Sequence, residues 1–142
     1  MKNININLIL ALSNLTVLPS LIVLYYQSRW VDLFFFARAS LASFVYHLVE
    51  QKHDLPGYIK IDRWRWFLNI DRVAAWSILI YILIYYYQFV FDNYILVIIT
   101  LIFNPLSEWC GIHCSNKNWF CLTHLIWHLL AYLIVFYISL LS

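Results

Sequence analysis

Long apolar runs fill most of this chain, and short polar stretches separate them. A helix needs about 20 mostly apolar residues to cross a bilayer. Runs of that kind cover 7–26, 31–49, 70–91 and 119–141. A further run, 94–107 at its longest, follows Asp92-Asn93; it is short for a span and contains Pro105. Two polar stretches stand out, 50–69 with Pro56 and Gly57, and one running to Asn118 that holds Cys110 and Cys114. No internal repeat is visible. The pattern predicts an all-α integral membrane helical bundle of about five transmembrane helices, forming a single transmembrane domain over 1–142.

Composition sharpens this. The chain is 64% hydrophobic and only 11% charged, whereas soluble domains are nearer half apolar and a quarter charged. So much apolar surface on 142 residues cannot be hidden from water, and lipid must be the solvent. The net charge of +2 gives no reason to expect a nucleic-acid partner. Cys110, Cys114 and Cys121 form an odd set without the spacing of a disulfide framework. Lys2 and the first run have some character of a signal peptide. The run continues to Tyr26 without a convincing cleavage site, and it is read as a span. The sequon Asn14-Leu15-Thr16 lies within it and is expected to carry no glycan.

Charge then orients the bundle. With five crossings, Lys2, Lys52, Lys60, Arg63, Arg65, Arg72 and Lys117 share one side, and Arg29 lies on the other. The Lys/Arg excess marks the cytoplasmic side. The N-terminus is expected there, with the cysteine loop in its reduced state, and the C-terminus outside or lumenal. The many Trp, such as Trp64, Trp66, Trp109 and Trp119, read as interfacial belts. Glu50 reads as an interfacial residue and His53 as a solvated loop residue. Arg38 lies deep in the second run, where it either snorkels or meets a lipid phosphate; no acidic partner can be named for it.

Polar residues inside spans are costly and usually functional. Ser43 and His47 lie four apart near the end of the second run, and His124 and His128 four apart near the start of the last. Four residues are about one helical turn, so each pair shares a face. Asp71 opens the third run. Five crossings bring all five residues to one depth on one side. Three histidines suit a catalytic zinc site with an open position for water, in which a carboxylate could act as general base and a hydroxyl could donate to an oxyanion. Other readings stay open. His124 and His128 could be a polar stripe bonding neighbouring helices, or could join His47 on a haem. Asp71 could cap its helix, and Ser43 could bond back to its own. Cys110, His113, Cys114 and Cys121 could form a second metal site, although their spacing fits no standard zinc motif. Cys121, three residues before His124, could neighbour the histidines.

In this order, Ser43-Phe44-Val45-Tyr46-His47, Asp71-Arg72-Val73-Ala74 and His124-Leu125-Ile126-Trp127-His128 resemble the motifs of the CREST superfamily. That group comprises alkaline ceramidases, adiponectin and progestin receptors, hemolysin III proteins and myomaker-like proteins. Leu18-Pro19-Ser20 faintly resembles the myomaker-like branch. The resemblance implies Zn2+ on His47, His124 and His128, with Asp71 and Ser43 beside it. Its members typically have seven spans, so a chain of five is a short form; losing two helices between the third and last spans keeps the orientation of the metal helices but removes pocket walls. The implied function is a zinc-dependent intramembrane hydrolase of lipid amides or esters, ceramidase-like. The alternatives are a receptor-like or membrane-remodelling protein with a structural zinc, and a haem electron carrier. The expected partners are a lipid substrate or ligand and the membrane, with no nucleic acid; a homo-oligomer is left open. The charge asymmetry is directly testable: a tag before Met1 should be protected with the cytoplasm and a tag after Ser142 should be exposed on the opposite side. Both tags on one side would remove the five-crossing arrangement.

Overall fold

The computed structural model describes residues 5–52, 55 and 57–141. Lys2, His53 and Pro56 lie outside them, so the readings placed on those residues are not addressed. The described residues are all helix and connection, without a strand. Five helices are long and apolar enough to cross a membrane: α1 Ile6–Tyr26, α2 Trp30–Val49, α3 Trp64–Tyr85, α4 Tyr94–His113 and α5 Asn118–Leu140. A six-residue helix, Tyr87–Asp92, links α3 to α4. By length and composition this is an integral multi-pass membrane protein.

Two boundaries differ from the apolar pattern. Helix α3 begins at Trp64, not Ile70, and ends at Tyr85. The polar residues of Trp64–Asn69 are tolerated because Arg65 and Asn69 are exposed, leaving one face for packing. Helix α4 runs 20 residues through Pro105 to His113, so the predicted cysteine loop is largely its last turns. A proline removes one backbone hydrogen bond without ending a helix whose other bonds hold. Helix α1 narrows to a 3₁₀ turn at Asn14–Val17. Pro19 has no N–H to give Leu15, and the Leu18 N–H takes that carbonyl instead.

The helices form a curved row in the order α3, α2, α1, α5, α4, each packed on the next. α1 is the central member, set between α2 and α5. At one end of the row's interior lies an apolar core of Val17, Leu24, Phe36, Phe89, Ile134, Val135 and Ile138. Phe89, from the linking helix, plugs this far end. The other half of the interior is polar and holds the histidines.

The far end is tied by a charged clasp. Arg29 Nε donates to Asp32 Oδ2 at 2.7 Å, and the Tyr81 and Tyr86 hydroxyls both donate to Oδ1 at 2.6 Å. Arg29 Nη1 also reaches the carbonyls of Ile138 at 3.1 Å and Leu141 at 2.6 Å, which the last turn of α5 leaves without helical partners. One guanidinium thus joins α2, the end of α3 and the end of α5. Asp32 is only 5% exposed, and removing one member of such a pair typically costs several kcal/mol. Asp32→Ala should therefore destabilise the folded protein by about 3 kcal/mol, read as a fall in unfolding midpoint in detergent. An unchanged midpoint would mean the clasp contributes nothing.

Candidate metal centre

His47 sits in the last turn of α2, and His124 and His128 sit one turn apart on α5. All three are buried, and one nitrogen from each lies within 4.8 Å of the others. The ring centroids are 4.9 Å apart for His47–His124, 5.2 Å for His47–His128 and 4.8 Å for His124–His128. Although α1 stands between α2 and α5, the imidazoles of those two helices reach one another.

Each ring is held through Nδ1 by a different helix or segment. His47 Nδ1 lies 2.8 Å from Glu50 Oε2. A carboxylate only accepts, so the ring proton is on Nδ1. His128 Nδ1 lies 2.6 Å from Ser13 Oγ, whose own proton goes to the Leu10 carbonyl at 2.7 Å. His124 Nδ1 lies 3.1 Å from Ser107 Oγ, whose proton goes to the Asn104 carbonyl at 2.7 Å. Both serines have therefore spent their donor and accept from the histidine. The same tautomer follows three times, with Nδ1–H bonded outwards and the lone pair on Nε2. His128 Nε2 is buried without a hydrogen-bond partner. This is the arrangement of metal-ligating histidines, whose second nitrogen is fixed by a neighbouring acceptor. The donor set suits a divalent ion that takes imidazole, such as zinc.

Glu50 directly follows the last residue of α2 and is 2% exposed. Its other oxygen accepts from the Tyr46 hydroxyl at 2.6 Å. Burial raises its carboxyl pKa, but the His47 bond and charge, the Tyr46 hydroxyl and Lys52 outweigh this and hold it below the usual range. Asn7 on α1 donates to the Glu50 carbonyl at 2.6 Å, and the following loop folds back so that the Ile59 N–H bonds Leu48 O at 2.8 Å. Gly57 makes that return feasible, since a Cβ there would lie 3.1 Å from the Val49 carbonyl oxygen.

Asp71 lies two turns inside α3, which corrects its reading as a helix cap. Ser43 Oγ is buried and bonds no backbone carbonyl of its own helix; the Asp71 carboxylate is within its reach. Ser43, Asp71, His124 and His128 line one cavity of about 540 Å³. Its other walls are mainly apolar side chains of α2, α3, α4 and α5, among them Leu79, Ile82, Val97 and Val135. The cavity follows α3 from Leu68 to Leu83, a rise of ~22 Å. Lys52 and Glu108 form an ion pair near its polar end. Among the described residues, no cysteine joins the histidine group, so the alternative of a second site at Cys110, His113, Cys114 and Cys121 does not assemble.

Sequence reasoning brought together the five residues now seen in one region, and it missed Ser13, Ser107 and Glu50. A signal for α1 existed: Asn7 and Asn14, and Ser13 and Ser20, repeat at seven residues in an otherwise apolar helix, and all four are buried. Glu50 stands three after His47, a facing distance on a helix. Nothing in the sequence marks Ser107.

The fold and site define a multi-pass helical membrane protein with a buried three-histidine centre. The chain belongs to the family described as Protein of unknown function (DUF3522), which matches residues 4–110. That match takes in Ser43, His47 and Asp71 and ends before His124 and His128. No curated protein and no solved structure shows significant similarity to it. Second acceptors of this kind commonly tune metal affinity by about 10–100-fold. Glu50→Gln, which can still accept at His47 but carries no charge, should weaken Zn2+ binding by about ten-fold in chelator competition. Equal affinity would show that Glu50 serves packing alone.

Proposed function

We propose that this protein is a zinc-dependent hydrolase that cleaves an amide or ester bond of a lipid within the bilayer, with ceramide-like amides the first substrates to test. The observation that carries the reading is the histidine group itself: one nitrogen from each of three buried imidazoles lies within 4.8 Å of the others, beside an elongated apolar cavity. His47, His124 and His128 would hold the ion. Bound zinc supplies Lewis acidity, polarising a carbonyl and making water more acidic.

The chain's own residues do the rest. Apolar walls of the cavity take an acyl chain and exclude water from it. Asp71 accepts the proton of the attacking water on a carboxylate oxygen and returns it to the leaving nitrogen or oxygen. The Ser43 hydroxyl, uncommitted to its own helix, donates to the carbonyl oxygen as negative charge builds there. The Lys/Arg excess supports a cytoplasmic position for this end of the bundle.

Two observations bear on the alternatives. A receptor-like or membrane-remodelling protein with a structural zinc is favoured by the lack of extensive packing between α3 and α4, both of which line the cavity. Structural zinc, however, is usually closed by four protein ligands, and the group among the described residues has three. A haem would need its porphyrin between axial imidazoles, and ring centroids 4.8–5.2 Å apart leave no room for one.

Two measurements test the proposal. Purified protein should carry about one zinc, and His128→Ala should lose most of it; full retention would refute the ligand assignment. Asp71→Asn should keep zinc while lipid hydrolysis falls by about 10²–10⁴-fold. Equal hydrolysis by that variant would remove Asp71 from the chemistry. Zinc-loaded wild type that releases no fatty acid from amide or ester lipids would favour the receptor or remodelling reading.

A further inference from the structure

Arg38 is the ninth residue of the 20-residue helix α2. A rise of 1.5 Å per residue puts its Cα ~12 Å from one end of the span and ~16 Å from the other. A guanidinium keeps its charge in proteins, so this one lies at hydrocarbon depth. Its Nη2 donates to Ser77 Oγ on α3. Its Cζ lies 5.5 Å and 5.3 Å from the ring centroids of Phe34 and Phe35. Its Nε is buried and has no hydrogen-bond partner.

No carboxylate answers this charge among the described residues. The ion pairs there are Arg29–Asp32, His47–Glu50 and Lys52–Glu108. A serine hydroxyl and two ring faces are a weak return for a cation removed from water. The contrast with Arg29 is sharp, since that guanidinium meets a carboxylate, a phenol and helix-end carbonyls.

The surroundings form a surface. On α2, Phe34, Arg38 and Leu41 share a face at helical spacing, and Phe34 and Leu41 are 59% and 64% exposed. On α3, Val73, Ser77, Ile80 and Ile84 do the same, with the three apolar residues 67%, 54% and 62% exposed. Two apolar stripes thus run side by side with one cation at mid-depth, and Ser77 keeps the seam shallow enough for close approach. Neither Arg38 nor Ser77 lines the cavity.

We propose that this α2–α3 face docks a transmembrane helix of another protein, one that carries an Asp or Glu at mid-membrane to pair with Arg38. Charge complementarity selects the occupant. A second copy does not supply it: Asp32 is spent on Arg29 and two tyrosines, Asp71 lines the cavity, and Glu108 pairs with Lys52. A headgroup phosphate stays at the interface, whereas a helix brings its carboxylate to the required depth. The inference stands apart from the zinc chemistry.

The test uses the full chain in phosphatidylcholine vesicles with a labelled, leucine-rich transmembrane peptide bearing one central Asp. Energy transfer should show association about ten-fold tighter than for the all-leucine peptide, the scale of an intramembrane polar contact. Arg38→Gln should abolish the difference. Moving the Asp one turn along the peptide should weaken association with wild type, a readout that needs no variant to fold. Equal association of the Asp and all-leucine peptides with wild type would overturn the proposal. So would a preference that phosphatidylserine removes, which would give Arg38 to headgroups. Arg38-dependent self-association of the chain would give the face to a second copy and likewise overturn it.

Discussion

Within hydrocarbon there is no water to satisfy a polar group that the protein leaves unpaired, and this constraint organises the whole bundle. Helix α1 shows how the bundle answers it. Four of its small polar residues are buried, and three of them tie it to its neighbours: Asn7 holds the end of α2, Ser13 holds His128, and Asn14 accepts from Tyr132 while its carbonyl accepts from Ser40 at 2.9 Å. These bonds fix α2 and α5 against a common central helix. Apolar packing alone could not do so, because lipid tails match leucine side chains in polarity and offer no comparable preference.

The same constraint makes the histidine cluster specific. An imidazole buried with its Nδ1–H committed carries an acceptor nitrogen that must point somewhere. His128 Nε2 is such a nitrogen, buried without a hydrogen-bond partner, and His47 and His124 lie beside it. An ion held there, as proposed above, would favour the folded chain by mass action. The opposite end is satisfied from within by the Arg29–Asp32 clasp and the Phe89 plug. One half of the interior is closed by apolar packing and the clasp, and the other gathers three histidines beside a cavity.

The apolar runs, the spacing of Ser43 with His47 and of His124 with His128, and the isolated Asp71 were legible because each is a local pattern read against a known helical period. Parity did the remaining work: five crossings set the three motifs on one side, as the structure places them. Boundaries were less legible. The third helix starts six residues early because Trp64–Asn69 can turn Arg65 and Asn69 outwards, which a running average of hydropathy does not see. The fourth persists past Pro105 because one lost backbone bond does not offset the rest. Asp71 consequently moved from a helix start to mid-helix, and its reading as a cap went with it.

By itself the sequence determined the solvent, the all-helical class, the number of crossings and which residues could meet a metal, since composition and periodicity act over a single helix. Tertiary structure decided which partner holds each of those residues. Ser13 to His128 and Ser107 to His124 are separated along the chain by intervals that carry no periodic signal, and Glu50 gains its role only when α1 and the returning loop bury it. A tautomer is set by the acceptor that reaches one ring nitrogen. That acceptor is chosen by how helices pack, so the direction of all three lone pairs became visible only in the folded bundle.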